Sequence, residues 1–156
     1  IGISSYYPEK LHNYHRIFKF DVVQVPFNIF DQRLLHSKFF KQKKYKKIQI
    51  QVRSIFLQGL LLMDKKNLPK YFFKWNSYFN YYFNYLNRNK ITALKASLRF
   101  IKQFNRVNFI VIGVQNYLEL KQILVEYKKL KKIKNKFRFI NDEKLINPSL
   151  WKKIYE

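Results

Sequence analysis

Short apolar runs alternate with helical patterns along this chain. Residues 21–25 (DVVQV), 48–52 (IQIQV) and 108–112 (NFIVI) are rich in β-branched residues and predict three strands, and residues 1–3 (IGI) have the pattern of a fourth. The first and third of these runs are nearly continuously apolar, which is typical of strands covered on both faces. In the run at 48–52 glutamines alternate with apolar residues, so we expect that strand to be polar on one side.

The segments between and after these strands have helical spacing. Pro8 can occupy the first turn of a helix through Leu11, Tyr14 and Ile17, and Ser37 starts a second helix. Further helices are predicted after Pro69, after Thr92 and after Asn116, which is a suitable N-cap. The apolar face of the last helix consists of Leu120, Ile123, Leu124 and Tyr127.

Strands separated by helix-length segments indicate an α/β protein built from parallel βαβ units with right-handed crossovers. The 156 residues suit one domain. A complete (β/α)₈ barrel needs roughly 250 residues, so a full barrel does not fit. Four units in series form either half of a closed barrel or part of an open doubly wound sheet, and periodicity does not separate these two architectures.

Residue types that are absent exclude several kinds of site. The chain has no cysteine, so it has neither disulfides nor thiolate metal ligands. His12 and His15 lie three residues apart, but no acidic residue completes a ligand set, and we expect no metal. No apolar run approaches the ~20 residues of a membrane span. We therefore expect a cytoplasmic protein with no membrane partner. The chain opens on Ile1 within a strand-like run, so we expect its N-terminal part to be missing.

The formal charge of +23 suggests a nucleic-acid partner, but its distribution along the sequence does not require one. Lysine is spread beside Asn, Ile, Phe and Tyr, which all have AT-rich codons. The densest clusters, at residues 41–47 and 128–138, are explained as solvated helix faces and ends. The aromatic residues 71–85 fit a buried helix better than a base-stacking platform. We therefore expect no specific nucleic-acid partner, and a basic nucleic-acid-binding module is the alternative.

Three segments carry motifs in a fixed order. Residues 2–11 (GISSYYPEKL), 22–28 (VVQVPFN) and 52–61 (VRSIFLQGLL) resemble the fifth, sixth and seventh strands of the aldo/keto reductase family with their following loops. The motifs of the family at these three strands are, in order, G-[IV]-S-N-[YF]-x-P-E-x-L, [IV]-x-Q-x-x-[YF]-N and A-Y-S-P-L-x-x-G-x-L. A weaker match at residues 110–124 is similar to the eighth strand and its phosphate-binding helix. The order and spacing of the four segments, across nearly the whole chain, identify the resemblance.

The resemblance implies a (β/α)₈ (TIM) barrel oxidoreductase that reduces small-molecule carbonyl substrates by hydride transfer from NADP or NAD. Residues 1–156 would be its C-terminal half, barrel units five to eight. The family's catalytic Asp, Tyr, Lys and His come from strands two to four, which would precede Ile1. The resemblance therefore implies no catalytic residue in this chain, no activity of the chain alone, and a requirement for the missing N-terminal half-barrel.

The same resemblance implies contacts to the nicotinamide end of the cofactor. Ser4, Ser5 and Gln24 would hold the carboxamide, which needs groups that both donate and accept hydrogen bonds. Ser5 replaces the usual asparagine, so one carboxamide contact is altered. Arg53 replaces the usual tyrosine that stacks on the nicotinamide, and its planar guanidinium can also stack but adds a positive charge.

Contacts to the other end of the cofactor are implied at two later loops. The loop from Ser54 through Leu57 to Gly59 would lie along the pyrophosphate, where small residues allow close approach of backbone N–H groups. The adenosine phosphate would bind at a helix N-terminus formed by Gly113, Val114 and Asn116. Glu119 stands where many members have an arginine that binds the 2′-phosphate of NADP, which favours NAD over NADP.

Overall fold

The computed structural model describes residues 1–130 and 137–151, and a parallel sheet lies at its centre. The strands are β1 (Gly2–Ser4), β2 (Val22–Pro26), β3 (Gln49–Arg53) and β4 (Phe109–Ile110). They neighbour one another in chain order, so the sheet lacks the order reversal of a doubly wound fold. The four predicted strands are confirmed, and the sheet has the order of consecutive strands in a (β/α)₈ barrel.

Helices follow the strands as the spacing predicted, although several are short. The α-helices are α1 (Leu11–Ile17), α2 (Arg33–His36), α3 (Lys38–Lys41), α4 (Asn76–Asn89), α5 (Ala93–Lys102), α6 (Tyr117–Lys129) and α7 (Glu143–Ile146). The 3₁₀ turns are Pro8–Lys10, Lys43–Tyr45, Leu60–Leu62, Lys65–Asn67, Lys70–Trp75 and Pro148–Leu150. The hydroxyl groups of Ser37 and Thr92 and the amide oxygen of Asn116 cap α3, α5 and α6.

The two faces of the sheet differ in what covers them. Val23, Val25, Ile50 and Val52 are fully buried beneath the helices. The opposite face is open, and β3 is polar on that side, as predicted from its alternating glutamines. Nothing in the described segments packs on the open face, where Phe109 is 52% exposed, so this part of the chain covers the apolar strands on one face.

Two predicted helix faces are only partly buried. In α6, Ile123 is buried, but Leu124 and Tyr127 are exposed. In α1, Leu11 is buried, whereas Ile17 is 87% exposed. These helices follow the two edge strands of the sheet, where the described residues supply no second neighbour to cover the remaining apolar surface.

The aromatic segment after Pro69 belongs to the core. Phe72, Trp75, Phe79 and Tyr82 are buried, and their rings contact one another and the segment of residues 137–151. This burial withdraws four of the ten aromatic rings of residues 71–85 from solvent, whereas Phe73 and Tyr81 remain exposed. The lysine-rich cluster predicted at residues 128–138 lies partly outside the described residues.

The described residues hold neither a candidate membrane span nor a candidate metal cluster. None of their helices combines the length and apolar composition needed to cross a bilayer. Within the same segments, no group of three or more His, Cys, Asp or Glu side chains is placed to share a metal ion.

Candidate functional site

A cleft of about 560 Å³ opens at the carboxyl edge of the sheet, between the loop after β3 and the segment joining β4 to α6. The cleft is lined by Arg53, Ser54, Ile55, Phe56, Gln58, Gly59, Leu62, Leu94, Val111, Ile112, Gly113, Gln115, Glu119, Gln122 and Ile123. Its volume is in the range of small-molecule sites. In α/β proteins with parallel strands, ligands bind at this edge of the sheet.

The loop after β3 has an unusual backbone. Ser54, Leu57 and Gln58 have φ values of 56°, 48° and 53°, and Gly59 has a φ of 82°. Left-handed conformations at residues other than glycine are costly and are found preferentially at functional sites. Leu57 is fully buried and anchors the loop in the core, so it does not line the cleft. Ser54, Gln58 and Gly59 do line it.

Asn28, which follows the neighbouring strand β2, fixes this loop. Its Nδ2 donates a hydrogen bond to the Ser54 carbonyl oxygen at 3.0 Å, and its Oδ1 accepts from the backbone N–H groups of Phe30 and Asp31 at 2.9 Å. Asn28 is 1% exposed, so losing these bonds would leave buried polar groups unpaired. Sequence reasoning placed Asn28 in a motif but assigned it no role in the site.

A buried ion pair lies next to Asn28. The Arg33 guanidinium donates two hydrogen bonds to the Asp31 carboxylate at 2.9 Å, and both side chains are almost fully buried. Burial raises the pKa of Asp31, and the hydrogen bond and charge of Arg33 offset this only in part. Glu9 and Glu143 lie about 4 Å from Arg33, which ties the loop after β2 to the C-terminal segment. The sequence analysis missed this pair, because nothing in its spacing indicates burial.

A row of polar side chains crosses the open face of the sheet. The Ser4 hydroxyl donates to Gln24 Oε1 at 3.3 Å, and Gln24 Nε2 donates to Gln51 Oε1 at 3.3 Å. The structure thus brings together Ser4 and Gln24 and adds Gln51, which the sequence analysis did not select. Ser5 lies apart: it is buried, and its hydroxyl oxygen accepts from the Tyr7 N–H at 3.0 Å.

Arg53 connects the polar row to the cleft. It lies two residues beyond Gln51 on the same side of β3, about 7 Å further along the strand. Its guanidinium carbon lies 4.1 Å from the centroid of the Tyr6 ring, a cation–π stack, and its Nη1 lies 3.4 Å from the Ser54 hydroxyl oxygen. Arg53 therefore presents a positive charge at the mouth of the cleft.

The far end of the cleft is formed by the start of α6. Asn116 Oδ1 accepts from the Glu119 N–H at 3.0 Å, and Glu119 Oε2 accepts from the N–H of Gln115, the residue before the N-cap, at 2.9 Å, which is a variant of the capping box. Of the three residues predicted here, Gly113 lines the cleft, whereas Val114 and Asn116 are exposed beside it. Glu119 thus places a carboxylate at the helix N-terminus.

The chain is similar to one known protein family. The family model described as the aldo/keto reductase family matches residues 1–138, most of the chain. Among curated proteins, none matches the chain.

Proposed function

Because this chain belongs to the aldo/keto reductase family, a family of oxidoreductases, we propose that it supplies the cofactor-binding face of an enzyme that reduces aldehydes or ketones with a nicotinamide cofactor. The observation that carries this proposal is the cleft between the left-handed loop after β3 and the start of α6. Both boundaries of the cleft are backbone segments that follow parallel strands.

The cleft is suited to the phosphate-bearing part of a dinucleotide. A Cβ atom added at Gly59 or at Gly113 would meet nothing within 4 Å, so a ligand can approach the backbone at both positions. Arg53 adds a cation, and Gln115 and Gln122 add polar groups to the lining. We assign the pyrophosphate to the side of Ser54 and Gly59.

The polar row is suited to a carboxamide. A primary amide both donates and accepts, as do Ser4, Gln24 and Gln51, so these side chains would orient the nicotinamide ring. When bound, the cofactor supplies the hydride. Arg53 and Tyr6, already stacked on each other, would form one wall of the ring's site. Ser5, which is buried, would shape the turn rather than contact the ring.

We propose that NAD is preferred over NADP. The Glu119 carboxylate faces the cleft and already accepts the Gln115 N–H, one of the donors that a phosphate would need. A 2′-phosphate dianion beside this carboxylate is repelled, whereas a ribose hydroxyl can donate a hydrogen bond to it.

The test uses ligands that fill only the adenosine end of the cofactor. We expect ADP-ribose to bind the chain about tenfold more tightly than its 2′-phosphorylated form, a difference of about 1.4 kcal/mol, in isothermal titration calorimetry. Glu119→Gln keeps an oxygen for the Gln115 N–H but removes the charge, and it should reduce this preference to near zero.

Asp64→Asn serves as the matched control, because Asp64 is exposed and does not line this cleft. The control should retain the preference of the unmodified chain. Failure of both ligands to bind would contradict the assignment of the cleft. Equal affinity of the unmodified chain for the two ligands would contradict only the preference for NAD, not the assignment of the cleft.

We further propose that this chain forms units five to eight of the barrel and that a second half-barrel completes the enzyme. The open face and the exposed apolar residues beside both edge strands support this arrangement. We assign no catalytic acid to the chain. On its own it should show no NADH-dependent reduction of aldehydes or ketones, and measurable turnover would overturn this part of the proposal.

A further inference from the structure

Nine lysine and arginine side chains lie at the amino-terminal edge of the sheet, opposite the cleft. The turn of residues 43–47 lies immediately before β3, and each of its four lysines is exposed. Arg16 and Lys19 are exposed where α1 leads into β2. We call these cations, together with Lys102, Lys128 and Lys129 at the ends of α5 and α6, the basic face.

Packing joins one side of the basic face to α1. The Tyr45 hydroxyl, from the turn of residues 43–47, lies 2.6 Å from His12 Nδ1. Desolvation, followed by the charges of Lys44, Lys38 and Arg16, lowers the pKa of His12.

Packing on the other side joins the same turn to the segment before β4, and α5 to α6. The Arg106 guanidinium, just before β4, donates to the carbonyl oxygens of Phe40 and Tyr45. The Lys102 ammonium donates to the Tyr127 carbonyl oxygen at 3.0 Å and lies over the Tyr127 ring. These contacts hold the turn to the segment before β4, and the ends of α5 and α6 to each other.

Acidic residues are distributed in the opposite way. Those at the carboxyl edge, or in the segments packed on it, are Glu9, Asp31, Asp64, Glu119, Asp142 and Glu143. At the amino-terminal edge the described residues contribute Asp21 and Glu126. Within residues 1–130 and 137–151, which the structure describes, no ion pair neutralises a cation of the basic face.

We infer that the basic face binds duplex nucleic acid through its phosphates, without reading the base sequence. Lysines act as point charges toward phosphates and supply sequence-independent affinity. Single strands are bound largely by stacking bases on exposed aromatic rings. Tyr45, the aromatic residue of the lysine turn, is 2% exposed and is stacked on Phe39, so this turn offers phosphate contacts without a stacking ring, which favours a duplex there. The exposed rings beside the basic face are Phe18 and Tyr127. This inference does not depend on the proposed function, because the cleft lies at the other edge.

The experiment compares two triple variants of the full chain that lose the same formal charge. Lys43→Glu/Lys46→Glu/Lys47→Glu alters the basic face, and Lys65→Glu/Lys66→Glu/Lys70→Glu alters exposed lysines on the loop after β3. Affinity for a mixed-sequence DNA duplex of about 20 base pairs is measured by fluorescence anisotropy between about 50 and 200 mM salt. Thermal melting checks that both variants are folded.

We expect the basic-face variant to bind at least about tenfold more weakly at low salt. The slope of log K against log salt concentration should be less negative by about two to three than for the unmodified chain. The control variant should keep its slope within about one of the unmodified chain. Equal losses in both variants would mean that only net charge matters and would overturn the inference. Tighter binding to a single strand of the same length, or to anionic phospholipid vesicles, would also overturn it.

Discussion

At the scale of single residues, the loop after β3 depends on backbone conformations that only glycine adopts without cost. Three residues other than glycine hold left-handed conformations here, and the buried Leu57 and the Asn28 hydrogen bond keep the loop in place. The core and the neighbouring strand therefore offset local strain, as is common where backbone groups must face a ligand.

Gly59→Ala tests this strain directly. A methyl group at Gly59 meets no atom within 4 Å, so any effect comes from its φ of +82°. We expect a loss of about 1–2 kcal/mol in the free energy of unfolding, measured by urea denaturation. Gly113→Ala, where the space is also open and φ is not left-handed, should change it by less than about 1 kcal/mol. Equal effects of the two substitutions would contradict the role of the backbone.

At the scale of elements, α1 packs through its histidines on the turn before β3. His12 hydrogen-bonds Tyr45, and the His15 ring makes edge contacts with Phe20 and Tyr45 at centroid distances of 4.9 and 5.3 Å. Desolvation and then the nearby charges, mainly of Lys19 and Lys44, lower the pKa of His15 below 6.5. Protonation of these histidines is therefore unfavourable in the folded chain.

This lowered proton affinity predicts a pH dependence of stability. At pH values between the lowered pKa of each histidine in the folded chain and about 6.5, the unfolded chain binds more protons than the folded chain does. The free energy of unfolding should therefore fall as the pH drops below about 6.5 and level off below the folded pKa values. Urea denaturation from about pH 7.5 to 5 measures this, and His12→Gln/His15→Gln should weaken the dependence.

His36→Gln is the control for that experiment, because His36 lies on α2 and stacks on Phe139 instead. It should retain the pH dependence of the unmodified chain. The explanation would be wrong if the double variant kept the full dependence.

At the scale of the whole molecule, apolar surface remains at both ends of the sheet. Ile1, Ile17 and Phe18 are exposed beside β1, and Tyr117 and Leu118 are exposed at the start of α6 beside β4. Exposed apolar patches beside open strand edges are characteristic of surfaces that pair with further strands.

We therefore expect the chain alone to self-associate with increasing concentration in sedimentation velocity experiments. Ile17→Asp/Leu118→Asp should weaken this association by about tenfold or more, which corresponds to about 1.4 kcal/mol. Phe73→Asp/Leu150→Asp is the matched control, since both residues are exposed but lie away from the two edges. A strictly monomeric chain, or equal effects of the two pairs, would contradict the role of the edges.

Much of the architecture was predictable because it is written in local patterns. The alternation of apolar runs with helical spacing predicted four parallel strands, helix starts were predicted at Ser37 and Thr92, and Asn116 was assigned as an N-cap from its residue type. The motifs also indicated the family that matches residues 1–138. Each of these signals depends on neighbours within a few residues, so the sequence by itself determines them.

Tertiary structure alone decided the arrangement of the site. Gln51 joins Gln24 across two strands, and Asn28 reaches the loop that begins at Ser54, so both partnerships depend on strand register. The burial of Asp31 with Arg33 and the exposure of Leu124 depend on which elements cover them. Periodicity describes which residues share a face, but only long-range packing determines whether that face is covered and which distant groups meet there.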